Sequence, residues 1–151
     1  MATVLCHEVS GGTFPVSPEA LLFRPAVYGI FIENSQILLQ KHPLTALWHP
    51  PGAILAENET LTQAVRHAFR RLTGMTPRVG VMLYVEDQYI MDSDRRAWQL
   101  SVVYYALERP STAATISDSS KIEWVSLNEL ERSQMQFGYE AVQAGCLQLK
   151  L

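Results

Sequence analysis

The chain has 151 residues, of which 48% are apolar and 18% charged, so it is long and apolar enough for one globular domain with a hydrophobic core. Its formal net charge of −3 gives no general attraction to nucleic acid or to an acidic membrane surface, and neither is expected as a partner. No apolar run approaches the ~18 residues of a membrane span, and a signal-peptide pattern is absent from the N-terminus. Two cysteines are too few for a metal cluster or a disulfide framework, so we expect a reduced, cytoplasmic protein with a single domain over residues 1–151.

The first 40 residues contain strand-like segments separated by turn residues. Two apolar runs around the turn Glu33-Asn34-Ser35 predict a β-hairpin. Ser17-Pro18-Glu19 has the residue types of a helix start, which predicts one helical turn. The predicted segments are a short strand at 3–9, a helical turn at 18–22, and the hairpin strands at 26–32 and 36–40.

One amphipathic helix is predicted over residues 61–73. Thr60 and Gln63 have the spacing of a capping box, in which each side chain bonds the other residue's backbone N–H. Gly74 suits the position just past the helix end, and Pro77 prevents continuation. Apolar residues recur at spacings of three and four and form one face: Leu61, Ala64, Val65, Ala68, Phe69 and Leu72.

The second half of the chain predicts three strands and a final helix. Ser126 with Glu129 predicts a second capping box. The order of elements favours an α+β or α/β fold in which a mixed sheet carries helices on both faces. The predicted strands cover 79–90, 97–107 and 122–125, and the helix runs from 137 to 147.

Residues 48–75 resemble the Nudix box. That pattern is a glycine, five residues, a glutamate, seven residues, then Arg-Glu-apolar-x-Glu-Glu-x-Gly-apolar. Six residues rather than five separate the opening glycine from the first glutamate here. The matching positions are Gly52, Glu59, Phe69, Gly74 and Met75. The resemblance implies a Nudix-like α/β/α sandwich, with the box helix beside a cleft for a nucleoside diphosphate and its metal ions.

The positions that carry the chemistry of the box differ. The arginine of the pattern is His67 here, and the three glutamates that would bind divalent cations are Ala68, Arg71 and Leu72. Mg²⁺ requires oxygen ligands, which alanine and leucine do not supply, and an arginine repels the ion. The resemblance therefore implies no metal site at the usual positions and weak or absent Mg²⁺-dependent pyrophosphohydrolase activity.

A basic surface is predicted in place of the metal site. In a Nudix fold, His67 and Arg71 would face the cleft, where an arginine can bind phosphate directly by two parallel hydrogen bonds. The expected partner is then a small anionic, nucleotide-like ligand. The alternative is that these residues form only a solvated helix face.

Four further residues are candidates for the site. Glu59 and Glu57 are the carboxylates nearest the box and the candidate catalytic residues, although Glu59 is expected to cap the helix and pair with His67. Trp48 is predicted either to stack on a ligand ring or to close the core beneath its loop. His49 is a candidate ligand residue or base, but a lone loop histidine is more commonly polar surface.

Three hypotheses about function follow. The first is a Nudix-family protein that binds an anionic ligand and hydrolyses it weakly or not at all. The second is an active hydrolase with a displaced Mg²⁺ or Mn²⁺ site, built from Glu57, Glu59 and carboxylates such as Glu86, Asp87 or Glu123. The third is a dimeric interaction module with a vestigial cleft. No cofactor is certain, since a metal is expected only if such an alternative carboxylate site exists.

Overall fold

The computed structural model describes residues 2–150, which form one mixed β-sheet and two α-helices. The strands are β1 (Val4–His7), β2 (Thr13–Val16), β3 (Leu22–Glu33), β4 (Gln36–Lys41), β5 (Trp48–His49), β6 (Gly52–Ile54), β7 (Arg78–Met91), β8 (Ala97–Glu108) and β9 (Ile122–Ser126). The helices are α1 (Leu61–Thr73) and α2 (Tyr139–Gln148), and single 3₁₀ turns occupy Pro18–Ala20 and Arg132–Gln134.

The sheet combines parallel and antiparallel pairs. Its order is β2-β1-β7-β8-β3-β4-β5, with β6 paired to β3 and β9 paired to β4. Strands β7 and β8 are antiparallel, whereas β3 and β8 are parallel over ten residue pairs. Helices α1 and α2 pack on opposite faces of this mixed sheet, which confirms the predicted sandwich.

Each face of the sheet has its own apolar core, because successive strand residues point to opposite faces. On one face α2 contributes Ala141 and Val142 to a cluster with Ile30 and Tyr104. On the other face α1 contributes Val65, Phe69 and Ala64 to a cluster with Val27, Phe31 and Leu38. The two helices are thereby fixed on opposite sides of the central strands.

Helix α1 begins and ends where its sequence predicts. Thr60 Oγ1 accepts a hydrogen bond from Gln63 N, and Gln63 Oε1 accepts one from Thr60 N, which completes the capping box. Gly74 ends the helix with φ of 79°, a left-handed conformation that favours glycine. Its N–H donates to Arg70 O at 2.8 Å.

Several predicted boundaries differ from those observed. Strand β3 starts at Leu22 rather than 26, because pairing with β8 extends it. The predicted capping box at Ser126 is wrong. The Ser126 carbonyl accepts from the backbone N–H groups of Glu129 and Leu130 in a turn, and the capping box is formed by Glu131 and Gln134 instead. Strands β2, β5 and β6 were not predicted, since each is only two to four residues long and is defined by its partner strand. Within residues 2–150, no helix is both long and apolar enough to cross a membrane.

Candidate functional site

Glu59 and His67 form a hydrogen-bonded pair across the first two turns of α1. The Nδ1 atom of His67 lies 2.8 Å from Glu59 Oε2, and because a carboxylate only accepts, this nitrogen donates. The hydrogen bond from His67 lowers the pKa of the Glu59 carboxyl group, and the positive charge of Arg71 lowers it further. The predicted pairing is therefore present, and it ties the loop before α1 to the outer face of the helix. The prediction that Glu59 caps the helix is wrong, because Thr60 is the N-cap and Glu59 accepts from Ala56 N in the loop instead.

Arg71 lies on the same outer face, in the last turn of α1. Its side chain is exposed, and none of the salt bridges or hydrogen bonds among residues 2–150 involves it. Arg66 and Arg70 are exposed as well, so the solvent-facing surface of the helix is basic. The cationic side chains near the C-terminus also complement the helix dipole, so part of this pattern serves the stability of the helix.

The residues at the other two box positions do not fit a divalent cation. Ala68 is buried, with 8% of its surface exposed, and Leu72 is half-buried. Neither has a side-chain oxygen, and the third position holds Arg71. The donor set that Mg²⁺ requires is thus not present on this helix.

The remaining carboxylates are spread over the molecule. Glu86 Oε1 accepts a hydrogen bond from the Tyr104 hydroxyl at 2.5 Å on the α2 face. Asp87 follows it on the strand and so points to the opposite face. Glu57 is exposed in the turn before α1, and Glu123 is exposed on β9. Among residues 2–150, no group of three or more His, Cys, Asp or Glu residues is placed to hold a metal ion.

His49 lies in the interior, so the expectation of a polar surface residue is wrong. Strand β5 pairs with β4 and turns the ring inward, where it stacks on Phe137 with ring centroids 5.0 Å apart. Its Nδ1 atom donates to Pro50 O at 2.8 Å. Burial lowers the pKa of His49, which favours the neutral ring.

Trp48 packs against the α2-side core, and this favours its core-closing role over ligand stacking. Lys41 Nζ lies 5.2 Å from the centroid of the Trp48 ring, on the adjacent strand. The backbone carbonyl of Trp48 also accepts from Gln136 N at 2.7 Å. A contact of Trp48 or His49 with a ligand stays a prediction.

A cavity of about 450 Å³ lies between strands β4 and β9 and the segment 116–120. The sequence indicates only a polar Ser/Thr loop there. Apolar residues flank the serines on both sides, and this pattern is a sequence signal for an apolar wall beneath the loop. These residues are Ile116 before the serines and Ile122 and Trp124 after them. The lining residues are Leu38, Ile116, Ser117, Asp118, Ser119, Ser120, Ile122, Glu123 and Trp124.

Solved structures with a similar fold include MutT and Nudix proteins. A MutT Nudix hydrolase from Burkholderia pseudomallei is 20% identical with a TM-score of 0.62, and the match covers 82% of this chain and 98% of that one. A MutT protein from Methanosarcina mazei Go1 is 16% identical with a TM-score of 0.61, covering 86% of this chain and 96% of that one.

A third similar structure is a bifunctional NMN adenylyltransferase/ADP ribose pyrophosphatase from Francisella tularensis, complexed with AMP and a manganese ion. It is 19% identical with a TM-score of 0.54, and the match covers 85% of this chain and 42% of that one. At these identities the likeness concerns the fold.

No curated protein matches the chain. The family model for the NUDIX domain matches residues 22–144, which is most of the chain. The chain therefore belongs to the Nudix family and has the Nudix hydrolase fold.

Proposed function

We propose that this Nudix domain binds an anionic, nucleotide-like ligand on the outer face of α1 without a divalent metal. In this proposal the protein has weak or no Mg²⁺-dependent pyrophosphohydrolase activity. The observation that carries it is Arg71, an exposed guanidinium at a position where the family pattern has a metal-binding glutamate. Homodimer formation and a cytoplasmic location stay predictions.

The charge at the three box positions supports direct binding of an anion. Three glutamates would carry −3 there, whereas Ala68, Arg71 and Leu72 together carry +1. A guanidinium forms two parallel hydrogen bonds with a phosphate group and remains charged at any physiological pH. His67, whose Nδ1 atom lies 2.8 Å from Glu59 Oε2, adds an imidazole ring to the same surface.

The same residues argue against efficient hydrolysis. Attack of water on a pyrophosphate requires neutralisation of the developing charge and an activated nucleophile. Arg71 supplies charge but cannot act as a base, and Ala68 and Leu72 supply neither function. Glu59 already accepts hydrogen bonds from His67 and from Ala56 N, which suits it to hold the loop.

A binding experiment with a charge reversal tests the proposal. We expect nucleoside diphosphates to bind equally well in Mg²⁺ and in chelator, as measured by isothermal titration calorimetry. Arg71→Glu should raise the Kd at least tenfold, because a carboxylate repels the phosphate group that the guanidinium attracts. The corresponding loss of binding free energy is ~1–2 kcal/mol or more. Arg66→Glu makes the same charge change about 140° around the helix from Arg71, since the two are five positions apart, and should have a much smaller effect.

Turnover assays separate the other two hypotheses. The wild-type protein is incubated with nucleoside diphosphate compounds and dinucleoside polyphosphates in Mg²⁺, in Mn²⁺ and in chelator, and released phosphate is measured. Chelator-sensitive turnover would mean that carboxylates elsewhere form a metal site and that the protein is an active hydrolase. If the folded protein neither hydrolyses nor binds any of these compounds, the interaction-module hypothesis replaces the proposal.

A further inference from the structure

The cavity between β4, β9 and the segment 116–120 has the size and the fixed walls of a small-molecule site. Its volume of about 450 Å³ is within the usual range of roughly 300–1,000 Å³ for ligand pockets. Leu38, Ile122 and Trp124 point to the α1 side of the sheet and form an apolar floor. Three serines and Asp118 line it on the loop side.

Contacts along the loop hold the cavity open. Arg109 donates to Ala114 O and forms a two-contact ion pair with Glu33, at 2.7 and 3.0 Å, so the start of the loop is fixed. Ser117 N donates to Thr73 O at 2.8 Å, which ties the middle of the loop to the end of α1. The Lys121 carbonyl accepts from the backbone N–H of β4 at 3.1 Å.

The chemistry of the lining disfavours phosphate and favours an uncharged ring that donates hydrogen bonds. None of the nine lining residues is Lys, Arg or His, so an anion would find no counter-charge and would be repelled by Asp118. Glu123 also lines the cavity, but strand alternation between Ile122 and Trp124 directs its side chain to the other face. A carboxylate beside apolar and aromatic groups is the arrangement that accepts from the amino group of a stacked base.

We infer that this cavity binds the nucleobase of the ligand, with preference for a base that carries an exocyclic amino group. Asp118 accepts from that amino group, and the floor around Trp124 contacts the ring. The inference rests on the proposed function, since the base would belong to the same nucleotide whose diphosphate meets Arg71. The two sites are joined through the last turn of α1, where Arg71 is two residues before Thr73, whose carbonyl accepts from Ser117 N.

Nucleosides without phosphate test the cavity independently of the anion site. We expect cytidine to bind about tenfold more tightly than uridine, and adenosine more tightly than inosine, in NMR titrations that monitor the backbone amides of 116–124. Asp118→Asn should abolish or reverse the preference, because the amide donates to a carbonyl as readily as it accepts. Glu123→Gln is the matched control and should leave the preference unchanged. Ser120→Trp should block both nucleosides by filling the space.

The outcomes of this experiment and of the Arg71 experiment are separate. Arg71→Glu should leave cytidine binding unchanged while it weakens binding of the diphosphate, so failure of one proposal does not mimic failure of the other. The inference is overturned if no nucleoside perturbs residues 116–124 at millimolar concentration. It is also overturned if Ser120→Trp, folded by circular dichroism, still binds cytidine, or if free ribose binds as well as cytidine does.

Discussion

At position 71 one side chain changes the sign of the charge on the box helix. The family pattern has a carboxylate there, and this chain has an exposed guanidinium one helical turn beyond His67, the partner of Glu59. Glu59 keeps its contact with His67 although the chain has one residue more than the pattern between Gly52 and Glu59. The loop accommodates that residue in a turn where Asn58 has φ of 62°. The scaffold of the box is thus retained while its charge is reversed.

Restoring the three glutamates should restore a metal site. We expect Ala68→Glu, Arg71→Glu and Leu72→Glu together to bind Mn²⁺ measurably, because they replace a net +1 by −3 with oxygen ligands on one helix. Isothermal titration calorimetry measures the binding, and the same three positions changed to Gln provide a control of similar volume without charge. A folded triple-Glu variant that binds no Mn²⁺ would contradict the assignment of Ala68, Arg71 and Leu72 to the three glutamate positions of the pattern.

At the scale of the element, the turn between β7 and β8 is built around Asp92. Its carboxylate accepts from Trp98 Nε1 and Arg96 N, each at 2.9 Å, and from Arg96 Nε at 3.0 Å. The hydrogen bond from Trp98, followed by that from the Arg96 backbone, lowers the pKa of Asp92 to about 2. The carboxylate therefore fixes the turn that joins the longest antiparallel pair of strands in the sheet.

This shift in the pKa of Asp92 predicts a pH dependence of stability. Because the pKa is lower in the folded state, the stabilising contribution is fully present above the ordinary pKa near 4 and is lost as the pH falls through about 2. Asp92→Asn should lower the free energy of unfolding in urea at pH 6, and its difference from wild type should shrink towards pH 2. Asp87→Asn, at an exposed carboxylate on the same hairpin, is the control. A constant deficit at all pH values would show that charge is not the cause.

At the scale of the whole molecule, β6 passes so close to β3 that only glycine fits at position 52. A Cβ atom on Gly52 would lie 2.1 Å from Val27 O and 2.6 Å from Tyr28 Cα, both of them backbone atoms that cannot move independently of the sheet. This contact sets the path of the chain from the sheet into α1, and so the placement of the box helix.

Gly52→Ala should therefore destabilise the whole domain. We expect a loss of about 2–3 kcal/mol in the free energy of unfolding, measured by urea denaturation, since overpacked sites lose stability in this range. Gly12→Ala adds a methyl group where no atom lies within 4 Å and should change stability by less than ~0.5 kcal/mol. Equal stability of the two variants would contradict the close approach of β6 to β3.

The sequence predicts those parts of the molecule whose signals are local. The limits of α1 and the hairpin of β3 and β4 follow from residues that are close in sequence. The pairing of Glu59 with His67 follows from the resemblance to the family. Helix periodicity, capping residues and turn residues act over a few positions, so one chain displays them directly. The family resemblance, which these local motifs carry, extends the prediction to the sandwich.

Only the tertiary structure decided which distant residues meet. The short strands β5 and β6 exist because β4 and β3 pair with them, and β5 buries His49 against Phe137, 88 positions further along the chain. The cavity beside Trp124 likewise depends on the hydrogen bond from Ser117 N to Thr73 O, which joins the loop to the end of α1. The physical reason is that pairing and burial are set by partners far along the chain, and a local pattern of residue types carries no record of them.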